Sequence, residues 1–414
     1  MKYSIEQQEI INKSKDNNII CDSVAGSGKT TTILGILSAY PKDKNLILTY
    51  NAKLKLDTRE KINQLNLLNG TAESYHSFCY NNITKKIIND KELYDFINNI
   101  NNYQDKLEFN YDRIIIDEVQ DMKPIYYELV CFIISHNIKS PLLVIIGDTF
   151  QSIYEYDLAD ERYLIYADKL FNVNNNNWIK LSLSTSYRIT NTMADLLNNQ
   201  FNMNREIKAY KISQYKPRYL ICNTYIENKF NKKDNFDLDL TIYNEVKYYL
   251  DLGYKPNDIF IISNSINPKS PIRELVSLLK KNNIKVYILE DYNKKNIEDI
   301  EGIICLTYHK VKGLEKKVCI VYGCDNYFFE LHNNIINTIC PNELYVALTR
   351  ATERLTLIQH NTKPPLPFLN MLTLSKYAEI IGINDKQRNI SNIRYIKSED
   401  LTNYTPTMII NKCL

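Results

Sequence analysis

Lys29 and Thr30 close the string Ser23-Val24-Ala25-Gly26-Ser27-Gly28-Lys29-Thr30, with Thr31 following, and this spacing suits phosphate chemistry. The two glycines let the backbone approach an anion with its N–H groups, the lysine reaches terminal phosphate oxygens, and the threonine hydroxyl can ligate Mg²⁺. About ninety residues further on stand Asp117 and Glu118. Adjacent carboxylates can divide two duties: Asp117 to hold a metal shell and Glu118 to polarise an attacking water.

Such groups work only if the chain holds them at one place. The apolar run Ile19-Ile20-Cys21 before the glycine loop and the helix-patterned run Thr31–Tyr40 after it predict strand, loop and helix. Tyr111–Asp121 reads YDRIIIDEVQD, with three isoleucines that fit a strand buried on both faces and acidic residues at its carboxyl end. In open α/β sheets ligands collect beyond the carboxyl ends of the strands, so both strings are expected at one edge. Alone, the first string could be a ligand-free turn and the second a helix start capped by acids; together they favour a nucleotide site.

Further β-branched or apolar runs recur at Leu46–Thr49, Leu142–Ile146, Ile179–Leu183, Tyr219–Cys222, Ile259–Ile262, Val286–Leu289, Ile303–Leu306, Val318–Tyr322 and Leu355–Ile358. Helix-patterned segments such as Ile189–Phe201 and Pro271–Lys280 separate most of them, which predicts an α/β fold with parallel sheets flanked by helices. The length of 414 residues suits two domains. The asparagine run at 174–177 marks a boundary, giving domains 1–178 and 179–362, and the prolines Pro364, Pro365 and Pro367 start a tail, 363–414, expected to lack regular structure.

A net charge of +3 neither requires nor excludes a nucleic-acid partner. The nine cysteines include no C-x-x-C pair, which argues against a disulfide scaffold or a zinc site. With no signal-peptide pattern and no long apolar stretch, a soluble intracellular protein without a membrane partner is expected.

Further strings follow in order: SYHSF at Ser74–Phe78, GDTFQSIYEY at Gly147–Tyr156, LSTSYRIT at Leu183–Thr190, TYHKVKGLE at Thr307–Glu315 and ELYVALTRATE at Glu343–Glu353. With Gln7, the glycine loop and DEVQD, they resemble the motif set of superfamily 1 helicases of the UvrD/Rep/PcrA type, from residue 3 to about 360. The resemblance implies two RecA-like P-loop domains with ATP and Mg²⁺ in the cleft between them, and single-stranded DNA as the partner. By the same resemblance Gln7 reads adenine, Tyr187 stacks on the base, and Arg188 and Gln151 meet the γ-phosphate. Gly313 and Glu315 lie at the nucleotide, Glu315 at its ribose, and Arg350 is the arginine finger. Tyr50, Tyr154 and Tyr156 stack bases, while His76, Thr307 and His309 touch the nucleic-acid backbone.

The chain departs from that motif set in places. Ser23 replaces a glycine, Thr31 replaces an adenine-stacking arginine, and Tyr156 replaces a tryptophan whose following arginine is also missing. The chain advances only 41 positions from His76 to Asp117 (117 − 76) and 18 from Leu289 to Thr307 (307 − 289). In the family those gaps hold large duplex-touching subdomains. The expectation is a 3′–5′ helicase or translocase acting in replication, repair or recombination. Two rivals stay open: a nucleic-acid-stimulated ATPase switch or loading module without processive unwinding, and an RNA-directed helicase. A partner protein or second copy is expected to be needed for unwinding.

Overall fold

Ile114, Ile115 and Ile116 have no solvent exposure in the computed structural model, because they occupy the middle of a parallel sheet. The structure describes residues 2–50, 52–99, 107–173, 177–226, 239–289, 297, 300–326 and 339–382. The chain divides into two compact units, one of residues 1–194, 204–212 and 341–349, the other of residues 195–203, 213–340 and 350–414.

The first unit is built on β1 (Asn18–Ser23), β2 (Asn45–Thr49), β3 (Gly70–Ser74), β4 (Arg113–Asp117), β5 (Leu142–Gly147) and β6 (Trp178–Leu183). They pair in the order β3-β2-β4-β5-β1-β6, every neighbour parallel. Around the sheet lie α1 (Ile5–Lys13), α2 (Lys29–Ala39), α3 (Ala52–Gln64), α4 (Tyr75–Asn82), α5 (Asp90–Asn98), α6 (Pro124–Ser135), α7 (Arg162–Ile165) and α8 (Ala167–Leu170). Side chains alternate between two cores. Ile114, Ile116, Leu143 and Ile145 join one, while Ile115, Val144 and Ile146 join the other with Ile33, Ile36 and Leu37 of α2. Such double burial explains why these strands read as unbroken apolar runs. β5 separates the strand carrying the glycine loop from the strand carrying the acidic pair, so the unit is a RecA-like P-loop fold.

A two-stranded parallel sheet, β7 (Thr185–Thr190) with β8 (Lys208–Lys211), completes the unit. The helix expected at Ile189–Phe201 is shorter, α9 (Asn191–Gln200), because Ile189 and Thr190 stay extended in β7. The boundary expected between 178 and 179 falls inside β6, which pairs with β1 from Trp178 to Leu183.

The second unit holds β9 (Arg218–Cys222), β10 (Ile259–Ser263), β11 (Val286–Ile288), β12 (Ile303–Thr307), β13 (Lys316–Tyr322), β14 (Ala351–His360) and β15 (Glu379–Ile381). They pair all in parallel in the order β11-β12-β10-β13-β14-β9-β15. α10 (Thr241–Asp251) and α11 (Pro271–Lys281) pack Ile242, Val246, Ile272, Leu275 and Leu279 onto its core. α12 (Asn342–Leu348) belongs to the first unit, and α13 (Leu374–Tyr377) precedes β15.

The proline cluster therefore does not end regular structure. β15 adds to β9, covering what would be an exposed strand edge; residues 383–414 lie outside the described residues. Among the described residues no helix is long and apolar enough to cross a membrane.

Candidate functional site

Because the six strands of the first unit are parallel, the segments leaving their carboxyl ends share one edge. The glycine loop follows β1, Tyr50 follows β2, His76 sits just after β3, Asp117 ends β4, and Gly147–Tyr156 leaves β5. Residues far apart in sequence are thus gathered by topology alone.

The loop from Ser23 to Gly28 turns through two left-handed residues, Gly26 (φ +72°) and Gly28 (φ +85°). A Cβ at Gly26 would lie 2.4 Å from the Cβ of Arg188, so glycine is required by packing as well as by φ. Val24 and Ala25 are buried, and Ser23 donates its hydroxyl to the Gly147 carbonyl (2.5 Å). The Ser27 hydroxyl is buried without a hydrogen-bond partner among the described residues. Gln7 is buried against the loop: its amide nitrogen donates to the Ser27 carbonyl (3.4 Å) and its oxygen accepts from the Ser4 N–H (3.0 Å). The Tyr187 N–H donates to the Gly26 carbonyl (2.9 Å), which ties β7 to the loop.

Lys29 and Thr30 form the first turn of α2, whose N-terminal N–H groups and dipole favour an anion. Lys29 Nζ lies 3.1 Å from Glu118 Oε1. Burial would lower the lysine pKa, but Glu118, Asp148 and Asp117 outweigh it and hold it at about 12. Burial and the neighbouring Glu118 charge push the Asp117 carboxyl up, against the pull of Lys29. Glu118 itself sits in the left-handed region (φ 55°, ψ 43°), where a non-glycine residue is strained and needs support from its surroundings. Gln120 supplies some, its amide nitrogen donating to Glu118 Oε2 (2.6 Å).

A buried hydroxyl lacking a partner, left-handed glycines and a lysine held charged together fit a polyphosphate. For a divalent ion, Thr30 and Asp117 offer one hydroxyl and one carboxylate. No cluster of three or more His, Cys, Asp or Glu side chains that could hold a metal exists among the described residues. An ion bound here would complete its shell with phosphate oxygens and water, as Mg²⁺ commonly does.

Four residues without an assigned role in the sequence reading build the floor of this site. Fully buried Gln120 accepts the Asp148 N–H (3.0 Å) while donating to Glu118. Asp148, also fully buried, accepts the Gln151 amide nitrogen (2.6 Å) and Arg205 Nη2 (2.5 Å). The buried Tyr345 hydroxyl accepts from the Ala25 N–H (3.1 Å) and from Arg205 Nη2 (3.0 Å). Gln120, Asp148 and Tyr345 belong to the strings DEVQD, GDTFQSIYEY and ELYVALTRATE, whereas Arg205 stands in a stretch with no motif of its own. Arg188 Nη1 donates to the Thr349 carbonyl (3.4 Å) at the end of α12.

The aromatic residues expected at nucleic acid cluster beside this edge. Tyr50 stacks on Tyr154 (centroids 5.8 Å apart) and Tyr154 meets Tyr156 edge-on (6.1 Å). Tyr156 is 74% exposed. His76 packs edge-on against Tyr126 (5.8 Å) and its Nε2 lies 2.9 Å from Asp90 Oδ1. Lys123 Nζ bridges Asp90 (2.9 Å) and Asp157 (2.6 Å).

In the second unit Thr307 ends β12 at the carboxyl edge of its sheet, and its hydroxyl accepts the Lys310 N–H (3.4 Å) across His309. Glu315 and Arg350 instead precede the starts of the paired strands β13 and β14. Arg350, 1% exposed, donates from Nη1 to the Leu314 carbonyl (3.5 Å), beside the exposed left-handed Gly313 (φ +80°). The unit thus joins Gly313, Glu315 and Arg350 but sets Thr307 and His309 at the opposite strand ends.

Residues 7–157 match the AAA_19 family, described as an AAA domain. A probable DNA helicase II homolog from Mycoplasma capricolum subsp. capricolum is 26% identical over 163 residues, 37% of this chain but only 19% of that protein. Among solved structures, the C-terminal domain of a possible DNA helicase from Lactobacillus plantarum WCFS1 aligns with 47% of this chain and 98% of that domain (19% identity, TM-score 0.32). Arterivirus nonstructural protein 10, a helicase, aligns with 85% of this chain and 62% of its own (10% identity, TM-score 0.41). Its complex with DNA aligns over the same shares at 11% identity and TM-score 0.41.

Proposed function

We propose that this chain is an ATP-hydrolysing motor of superfamily 1, of the UvrD/Rep/PcrA type, moving 3′ to 5′ along single-stranded DNA. The observation that carries the proposal is the 3.1 Å contact between Lys29 of the phosphate loop and the strained Glu118 at the end of a buried strand. A lysine for phosphate charge and a carboxylate for water, meeting at a helix N-terminus, are the groups that phosphoryl transfer to water needs. Similarity to a probable DNA helicase II homolog supports the nucleic-acid half of the reading.

In this scheme backbone N–H groups of residues 24–31 and Lys29 bind the triphosphate, and Gln7 and Tyr187 hold the base. Mg²⁺ bound by Thr30 and Asp117 would neutralise charge on the β- and γ-oxygens. Glu118 accepts a proton from the attacking water, with Gln151 and Arg188 orienting the terminal phosphate. Arg350 is proposed as the arginine finger of a second RecA-like domain, with Gly313 and Glu315 beside the sugar. Tyr50, Tyr154 and Tyr156 stack bases, and His76, Thr307 and His309 contact the strand's backbone.

ATP turnover measured with single-stranded DNA, single-stranded RNA or duplex tests the reading. Lys29→Ala should abolish turnover, whereas Glu118→Gln should still bind ATP and fail to hydrolyse it. Equal loss of nucleotide binding in both variants would make Glu118 structural.

A second reading, an ATPase switch without processive unwinding, is favoured by the short connection from β3 to β4. Between those strands α4 and α5 are the helices among the described residues, too little for a duplex-holding subdomain.

A further inference from the structure

Arg205 lies outside every motif string, yet its side chain is only 15% exposed and contacts the phosphate-loop entrance at several points. Nη2 meets Asp148 Oδ1 (2.5 Å) and the Tyr345 hydroxyl (3.0 Å). Nη1 donates to the Ser23 carbonyl (3.1 Å) and lies 3.5 Å from Asp22 Oδ1. The guanidinium plane covers the rings of Phe150 (4.4 Å) and Tyr345 (5.3 Å).

These contacts have directed consequences. With one Asp148 oxygen held by Arg205, the other accepts the Gln151 amide nitrogen (2.6 Å). That bond sets which end of the planar amide faces Asp148, so the Gln151 carbonyl is turned to the other side. The Tyr345 hydroxyl that Arg205 holds also accepts the Ala25 N–H within the loop. Tyr345 lies on α12, whose last residue is followed by Thr349, the acceptor of Arg188.

We propose that Arg205 is a positioning residue for hydrolysis: through Asp148 it sets the Gln151 amide, and through Ser23 and Tyr345 it locks that setting to the entrance of the phosphate loop. The proposal rests on the ATPase reading above. A forked, planar, permanently charged donor is needed, because one ammonium cannot reach several acceptors in different directions and cover two rings. A group acting only through orientation should alter the chemical step and leave ground-state binding intact.

The test uses the full chain, with single-stranded DNA saturating. Arg205→Lys keeps a cation beside Asp148 and should lower kcat about 10- to 100-fold. KM for ATP and the Kd of a non-hydrolysable ATP analogue should stay within about threefold, because binding in the ground state is untouched. Arg205→Lys combined with Gln151→Ala should have the kcat of Gln151→Ala alone, since both act on one element. Should Arg205→Lys fold poorly, Arg205→Met with Asp148→Asn removes both charges and should give the same kinetic pattern. Normal kcat in these variants, losses that multiply with Gln151→Ala, or a Kd weakened in step with kcat would overturn the proposal. Absence of ATPase in the unmodified chain, or turnover unchanged by Lys29→Ala, would overturn the ATPase reading, and this proposal with it.

Discussion

At the scale of single residues, strain and exposure mark what is special. Gly26 combines φ +72° with a backbone too close to Arg188 for any side chain. Gly26→Ala should therefore cost about 1–3 kcal/mol and lower the melting temperature; an unchanged melting curve would mean the loop tolerates a right-handed turn. Tyr156 differs in kind: it is 74% exposed while its ring meets Tyr154 edge-on. Tyr156→Ala should weaken single-stranded DNA binding by ~1–3 kcal/mol, while Tyr156→Phe should be nearly silent. Equal loss in both, read by fluorescence anisotropy, would point to the hydroxyl rather than the ring.

At the scale of elements, one carboxylate links three helices. Asp90 at the start of α5 accepts from Lys123 (2.9 Å) and from the Tyr126 hydroxyl of α6 (2.8 Å), and faces His76 of α4. Burial alone would raise the Asp90 pKa, but the Lys123 and Tyr126 hydrogen bonds and the nearby cations outweigh it and hold it below the usual range. A depressed folded pKa stabilises above the unfolded value and loses that stabilisation as pH falls through the folded one. The stability gap between the native chain and Asp90→Asn should thus be widest near neutral pH and close under acid, measured by urea unfolding at several pH values. A gap independent of pH would mean that the charge of Asp90 contributes nothing. In the sheet itself, Ile115→Ala should cost about 2–5 kcal/mol, since a fully packed site cannot collapse around the lost atoms.

At the scale of the whole molecule, the second unit and the short connections set what the proposed motor can do. Arg350→Ala should cut kcat by about 10³-fold or more with ATP binding little changed, if it neutralises charge developing at the transition state. A variant that loses thermal stability alone would return Arg350 to the role of the buried donor to Leu314. Opening a base-pair step costs about 1.4 kcal/mol, well within one ATP, so in the proposed motor energy does not limit strand separation, and among the described residues the connection from β3 to β4 offers only α4 and α5 to hold a duplex. The monomer should move along single-stranded DNA but unwind a tailed duplex of roughly fifty base pairs poorly without a partner or second copy. Efficient unwinding in a single-turnover experiment would refute that limit.

What the sequence determined by itself is local and strongly patterned. Apolar runs such as RIIID and LLVIIG predict strands because burial on both faces leaves no room for polar alternation. All ten such runs found beyond the first are strands in the structure. The glycine loop was legible because its left-handed turns demand glycine at fixed spacing. β3 was not legible: GTAES is small and polar, and this edge strand is held by pairing with β2. β15, beyond the prolines, likewise exists only because β9 presents an unpaired edge. Nor does any local pattern reveal that segments 204–212 and 341–349 belong with the first unit. Arg205, Asp148 and Tyr345 meet across large sequence separations, and a buried cation finds its acceptors in space, whatever its neighbours along the chain.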